Sequence, residues 1–412
     1  MRQKILIFII AGFVIQSINA IPPKPPQGKR WVRNEMFSDE FNGTELDTSK
    51  WYDYHPTWNG RPPGIFLRSQ VSVENGYMSI QGGTLEKDTV IGSHTFNVAC
   101  GAVVSKSLDA WFGYYECRFK AARTTMSTTF WFSTRRNFDG PEACKDNYGL
   151  EWDVQECIGR EGDFNGNFFA KGMHSNSHFW YRDCEGERHD YRATQVLFDT
   201  EELASDAFNT YGGWWKNESE ASYYFNNGEA KSHQFYSSVK SKPFDQTMGM
   251  NLVSETYPFP WISLPTDEEL NDDSRNTCYY DWVRAYVLVD ADDPNRKGED
   301  KEPIAGIKLY EENVNLSKEL TELSASGVLS IPFTYMVNED RELHIELRNE
   351  ANDLIGDTTL TAYTGYANVL LDFELNNNPL AGMYNLKAEI SPKNGLNGEK
   401  VATDKITALR IK

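Results

Sequence analysis

At 412 residues the chain is longer than one ordinary domain, and 40% hydrophobic residues supply enough apolar surface for packed cores, which excludes wholesale disorder. Against 41 basic residues stand 60 acidic ones, and the net charge of −19 excludes a nucleic-acid partner because nothing would neutralise a phosphate backbone. The 7 histidines are scattered without the Cys/His spacing of a zinc site, while 11 Trp and 21 Tyr suit a surface that stacks on sugar rings.

Taken in chain order, residues 1–20 read as an export signal: Arg2 and Lys4, the apolar run Ile5 to Ile15, then Ile18-Asn19-Ala20 at the cleavage point. The expected location is therefore the periplasm, the cell surface or outside the cell, with no membrane span left after removal. Ile21 to Lys29 is a Pro-rich lead-in. From Trp31 to Val289 short β-type runs alternate with Gly, Asn and Asp turns. Val71-Ser72-Val73 and Met78-Ser79-Ile80 bracket the hairpin turn Glu74-Asn75-Gly76. Tyr114 to Ala121, Ser222 to Phe225 and Tyr280 to Tyr286 read as further strands, and one short helix is expected near Asp267–Leu270. Such a pattern predicts an all-β sandwich or barrel over 21–289. Residues 290–305 are charged and read as a linker. Over 306–412, Leu343 to Leu347, Val369 to Leu375 and Tyr384 to Ile390 alternate again, predicting a small immunoglobulin-like β-sandwich. This second unit has no Trp, so it reads as a spacer or packing domain rather than a sugar-binding module. All six cysteines precede residue 290, and disulfides and isolated buried thiols both remain open.

The segment Glu151-Trp152-Asp153-Val154-Gln155-Glu156 carries three carboxyls in six residues. In a plain strand Glu151 and Asp153 share one face and Glu156 takes the other. A β-bulge between Asp153 and Glu156 would turn all three into one cleft. A retaining glycosidase needs two carboxyls about 5–5.5 Å apart, one to attack the sugar and one to protonate the leaving oxygen. A third acid between them can hold a proton and prevent simultaneous ionisation. An ordinary solvated edge with alternating acids is the alternative.

Glu-Trp-Asp-Val-Gln-Glu resembles the Glu-x-Asp-x-x-Glu signature of glycoside hydrolase family 16. Phe37-Ser38-Asp39-Glu40-Phe41 resembles that family's opening strand, and Tyr52 to Pro63, Met126 to Phe132, Met173 to His178 and Tyr211 to Lys216 are similar to its agarase/porphyranase branch. The resemblance spans residues 31–289. It implies a jelly-roll β-sandwich with a concave cleft, and a retaining endo-β-1,4-galactanase acting on red-algal galactan, agarose or porphyran. Carrageenase and laminarinase are the enzyme alternatives, and a non-catalytic carbohydrate-binding protein is the alternative of another class. Glu151 would be the nucleophile, Glu156 the general acid/base and Asp153 the helper, with Trp152 facing the core. Trp58, Arg61, Trp131, His174, His178, Glu255 and Trp261 are the substrate-binding candidates. His174 and His178 share a strand face, although structural imidazoles are the alternative reading. Arg61, Arg68, Arg135 and Arg136 are candidates for sulfate. Catalysis would need no cofactor; a structural calcium would sit near Glu40, Gly76 and Asp281. The expected assembly is a monomer.

Overall fold

The computed structural model describes residues 21–294, 308–320, 322–323, 328–375, 380–393 and 399–412. The export signal and most of the expected linker lie outside the described residues. Two sheets form the first domain. The cleft sheet runs in the order Arg188–Arg192, Lys171–Arg182, Asn147–Cys157, Thr128–Ser133, Gly249–Ser254, His94–Ser105 and Trp51–Tyr52. The second sheet runs Lys231–Gln234, Glu220–Phe225, Asn209–Asn217, Gly113–Lys120, Thr277–Asp290 and Lys29–Arg33. The architecture is a β-sandwich, as the strand pattern predicts, and of the jelly-roll kind that the family resemblance implies.

Local chemistry explains the connections. Val71–Glu74 pairs with Tyr77–Gln81 through Asn75 (φ 55°) and Gly76 (φ 82°), two left-handed residues that Asn and Gly tolerate. The one α-helix among the described residues is Asp267–Leu270. Thr266 caps it by accepting from the Glu269 amide while Glu269 reaches back to the Thr266 amide. The core lies between the sheets, where Trp152, Trp215, Phe132 and Tyr115 are almost wholly buried. Burial would leave the Trp152 indole N–H without a partner, and the Tyr223 hydroxyl accepts it at 2.8 Å.

The second domain is also a two-sheet sandwich. Asn313–Leu316, Val328–Val337 and Gly365–Glu374 face the sheet formed by Glu322–Leu323, Ala402–Ile411, Gly382–Pro392, Arg341–Asn349 and Leu354–Ala362. The predicted alternation holds: Leu343, Ile345 and Leu347 are fully buried, each contributing roughly 1.5–3 kcal/mol, while their neighbours face outward. The two domains share a sheet. Lys29–Arg33 pairs with Thr277–Asp290 on one side and with Gly365–Glu374 on the other, Trp31 opposite Tyr366. Trp31 is buried in a cluster with Tyr114, Tyr286 and Tyr310. Gly365 (φ 129°) permits this approach, since a Cβ there would lie 2.1 Å from the Trp31 carbonyl oxygen. Packing, one of the two roles expected for the second domain, is therefore what the contacts support.

One disulfide, Cys144–Cys184, joins the loop before the Asn147–Cys157 strand to the loop after Lys171–Arg182. The other four cysteines are buried thiols. No helix among the described residues is long and apolar enough to cross a membrane.

Candidate active site

The acid-bearing strand Asn147–Cys157 lies between Thr128–Ser133 and Lys171–Arg182. Against Lys171–Arg182 the register is regular, with Glu151 opposite His178 and Asp153 opposite Asn176. Against Thr128–Ser133 it slips: Asp153 faces Trp131 and Gln155 faces Phe130, so Val154 is the extra residue of a bulge. The bulge falls between Asp153 and Glu156. Trp152 and Val154 turn into the core, and Gln155 is spent on the neighbouring backbone, donating to the Gly172 carbonyl and accepting from the His174 amide. Glu151, Asp153 and Glu156 all line one cleft.

That cleft, of about 200 Å³, is completed by Trp58, Arg61, Trp131, Glu255 and Tyr257. Trp58 stands edge-on to Phe66, and Trp131 lies parallel to His55 at 6.5 Å. Arg61 forms a forked pair with Glu255, its Nε 3.0 Å from Oε2 and its Nη2 3.4 Å from Oε1. Its guanidinium also covers the rings of Trp58, Tyr257 and Phe259. His178 joins the acids: its Nε2 is 3.3 Å from Asp153 Oδ2 and 3.7 Å from Glu151 Oε1. Its Nδ1 is 2.7 Å from Asp190 Oδ1, and its ring stacks on Trp180 at 5.1 Å.

Charge is crowded here. Burial, then the Asp153 charge, raise the pKa of Glu151, while His178 opposes the rise. Burial and Asp153 likewise raise Glu156, and the hydrogen bond from Tyr257 opposes it. Burial disfavours a charged His178, but its contacts with Asp153 and Asp190 and the nearby Glu151 prevail and carry it up to about 11. The cluster therefore holds a proton that isolated carboxyls would release.

Two expected substrate contacts lie away from the centre of the cleft, Trp261 being expected, with Glu255, at its rim. His174 faces the same side of its strand as His178, yet its Nε2 lies 2.8 Å from the Lys171 carbonyl and 3.0 Å from that of Phe168. The short 3-10 turn Asn165–Ala170 claims the ring, which fits the structural alternative. Trp261 is stacked between Phe168 and Phe259 and extends the aromatic wall that begins at Tyr257 instead of lining the central cleft.

Of the calcium site expected near Glu40, Gly76 and Asp281, partly through backbone oxygens, both carboxylates are engaged by guanidinium groups. Glu40 accepts from Arg284 Nε at 3.0 Å and Nη2 at 2.9 Å and lies 3.1 Å from Arg33, while Asp281 pairs with Arg118. A cation bound through either carboxylate side chain would have to displace a guanidinium group, so these side chains do not fit a calcium ligand set as they stand. Glu151, Asp153 and His178 bring ligand atoms within 4.8 Å of one another, but His178 already stands between Asp190 and Asp153, with its Nδ1 turned to Asp190.

The family described as the GH16 domain of β-porphyranases A–D matches residues 31–288. The chain belongs to glycoside hydrolase family 16. A porphyranase-associated domain matches residues 314–405 of this family 16 hydrolase. It is 58% identical over 379 residues to β-porphyranase D of Zobellia galactanivorans, covering 91% of this chain and 88% of that protein. It is 36% identical over 283 residues to β-porphyranase B of Phocaeicola plebeius, covering 65% and 88% of the two. The crystal structure of a β-porphyranase from the human gut bacterium Bacteroides plebeius matches with a TM-score of 0.61 at 36% identity, over 65% of this chain and 95% of that one.

Tyr257, Trp180, Asp190 and His55 are site neighbours that sequence reasoning missed. Trp180 lies two residues from His178 on the same strand, so alternation could have found it, whereas Tyr257 lies just past the end of Gly249–Ser254, where no alternation marks it. Asp190 carries no local signal, because an edge strand brings it to His178.

Proposed function

We propose that this hydrolase is an exported, retaining endo-β-1,4-galactanase that cuts porphyran, the sulfated red-algal galactan, by double displacement. The observation that carries the mechanism is the bulge at Val154, which gives Glu151 and Glu156 a common cleft with Asp153 between them. Glu156, whose affinity for its proton is raised, protonates the departing glycosidic oxygen while Glu151 attacks the anomeric carbon. The C–O bond breaks, and a glycosyl ester forms on Glu151. Glu156, now a carboxylate, takes a proton from water as that water attacks the anomeric carbon; the bond to the Glu151 oxygen breaks, which frees the sugar, returns Glu151 as a carboxylate and leaves Glu156 protonated. Trp58 and Trp131, both packed against His55, offer ring surface to sugars beside the acids.

The substrate assignment draws on the relatives, which are named β-porphyranases, and on a cation in the cleft. Arg61 is held there beside Trp58 and remains 38% exposed, so it can meet a sulfate or hydroxyl oxygen despite the chain's negative charge. Arg135 is committed to the Ser105 and Met250 carbonyls, and Arg68 to Asp53, so both are less available. The deciding experiment is hydrolysis of porphyran and agarose by the mature enzyme, followed by proton NMR. Early β-anomeric oligosaccharides from porphyran support the proposal. Early α-products refute retention, and products from agarose alone refute the porphyran assignment.

A further inference from the structure

We propose that Asp190 is a positioning residue for the hydrolysis, fixing His178 so that its Nε2 edge stands beside Asp153 and Glu151 and its charge favours the nucleophilic form of Glu151. This inference rests on the retaining reading above. His178 is cross-strand from Glu151, and Trp180 stacks on the ring at 13° between planes, which sets the ring plane but not which edge faces the acids. Asp190 makes that choice. It stands opposite Trp180 on the edge strand Arg188–Arg192 and places Oδ1 2.7 Å from His178 Nδ1. Its other oxygen accepts from Arg192 Nε at 2.7 Å, so neither oxygen is idle. An aspartate on the far nitrogen of an imidazole fixes both tautomer and orientation.

The charges around His178 determine what this positioning accomplishes. The acid strand presents Glu151 and Asp153, with Glu156 further along it, and the edge strand presents Asp190 and Arg192. Three near carboxylates against one guanidinium favour an imidazolium, although burial opposes it. Its Nε2 then lies 3.7 Å from Glu151 Oε1 as a positive charge. That charge counters burial and Asp153, the two influences that otherwise drive Glu151 toward its protonated, non-nucleophilic form. With the ring flipped or neutral, this compensation is lost.

The test compares wild type with Asp190→Asn and Asp190→Glu on porphyran oligosaccharides, together with nitrogen NMR of the labelled histidine ring. Asp190→Asn is expected to lower kcat on the order of 10- to 100-fold with little change in KM. The acidic limb of kcat/KM should move to higher pH, because Glu151 then needs a higher pH to ionise. Asp190→Glu, which keeps the carboxylate, should recover most of both. The ring spectrum should show His178 doubly protonated at neutral pH in wild type and titrating lower in Asp190→Asn. Wild-type kcat and pH limb in Asp190→Asn overturn the proposal, as does a loss of Tm and activity with the limb unmoved. Where Asp190→Asn fails to fold, Asp190→Glu with an unaltered ring spectrum and a restored limb supports it, and without them overturns it. The ring spectra need no substrate, so a wild type inactive on porphyran would sink the porphyran assignment, and early α-products the retaining reading, separately from this proposal.

Discussion

Tyr257 donates its phenolic hydrogen to Glu156 Oε1 across 2.7 Å, leaving the other carboxyl oxygen of Glu156 to carry the proton that the reaction consumes. A donor at this position favours the ionised form and works against burial and Asp153, which raise Glu156. Tyr257→Phe removes the donor and keeps the ring under Arg61. Glu156 then titrates higher, so the alkaline limb of kcat/KM should move up by as much as about one pH unit. Loss of an orienting hydrogen bond of about 1.4 kcal/mol should lower kcat roughly tenfold. A pH–rate profile of the variant that overlays wild type would show that Tyr257 does not govern this proton.

Glu151 should cost the protein stability in alkaline solution. Burial and the Asp153 charge raise it above the ordinary 4.5, so the folded chain holds its proton more tightly than the unfolded chain. The stability linked to that proton is complete in acid, below the unfolded value, and is lost as pH rises through the folded value. Glu151→Gln cannot ionise. It should abolish turnover, on the order of 10⁴-fold or more, yet melt higher than wild type in alkaline buffer by roughly 2–4 °C for each kcal/mol relieved. In mild acid the advantage should vanish. Thermal melts across pH decide the matter: a deficit of constant size at every pH would mean that the carboxylate is not under electrostatic stress.

What the sequence disclosed and what it hid follow the range of the interactions. Three acids at positions 151, 153 and 156 cannot share a strand face without a bulge, so spacing made a bulge between Asp153 and Glu156 the condition for a common cleft, while the alternative of a solvated edge needed the register to dismiss it. The hairpin at Asn75-Gly76 and the helix at Asp267–Leu270 were legible because their signals lie within a few residues. His174 was ambiguous because the carbonyls of Phe168 and Lys171 claim its ring, and no side-chain pattern marks a carbonyl. Glu40 and Asp281 resemble cation ligands until folding brings Arg33, Arg118 and Arg284 to them. The pairing of Trp31 with Tyr366 joins residues more than three hundred positions apart. An alternating strand does not announce its partner.

Cys144 and Cys184 close a sequence separation of 40 residues, and restricting the unfolded chain over that length is worth about 4 kcal/mol in the loop-entropy account. The bridge fastens the loop before the acid strand to the loop that carries Asp183. Replacing both cysteines with serine should lower Tm while leaving Glu151 and Glu156 in place. Cys100, Cys117, Cys157 and Cys278 are buried, and burial pushes each thiol's pKa up, Cys278 to about 12. A thiol reagent should therefore find no reactive cysteine in the folded protein and four after denaturation. Rapid native labelling at any of these four positions would contradict the closed core.

The shared sheet makes the second domain part of the first domain's wall. Lys29–Arg33 is an interior strand only because Gly365–Glu374 pairs with it, and Trp31 is buried only while Tyr310 and Tyr366 pack around it. A chain ending at Asp293 would bare this strand's edge together with Trp31 and Tyr286, a combination that favours aggregation. It should be recovered poorly soluble or with a clearly lower Tm than the full chain. Trp31→Ala in the full chain should cost about 3–5 kcal/mol through the cavity it leaves. The acids lie on the other sheet, so kcat of the folded fraction should hold in Trp31→Ala. Equal Tm for the shortened and full chains would reduce the second domain to a spacer, whereas a fall in Tm with kcat preserved would fix its role as the closing strand of the catalytic sandwich.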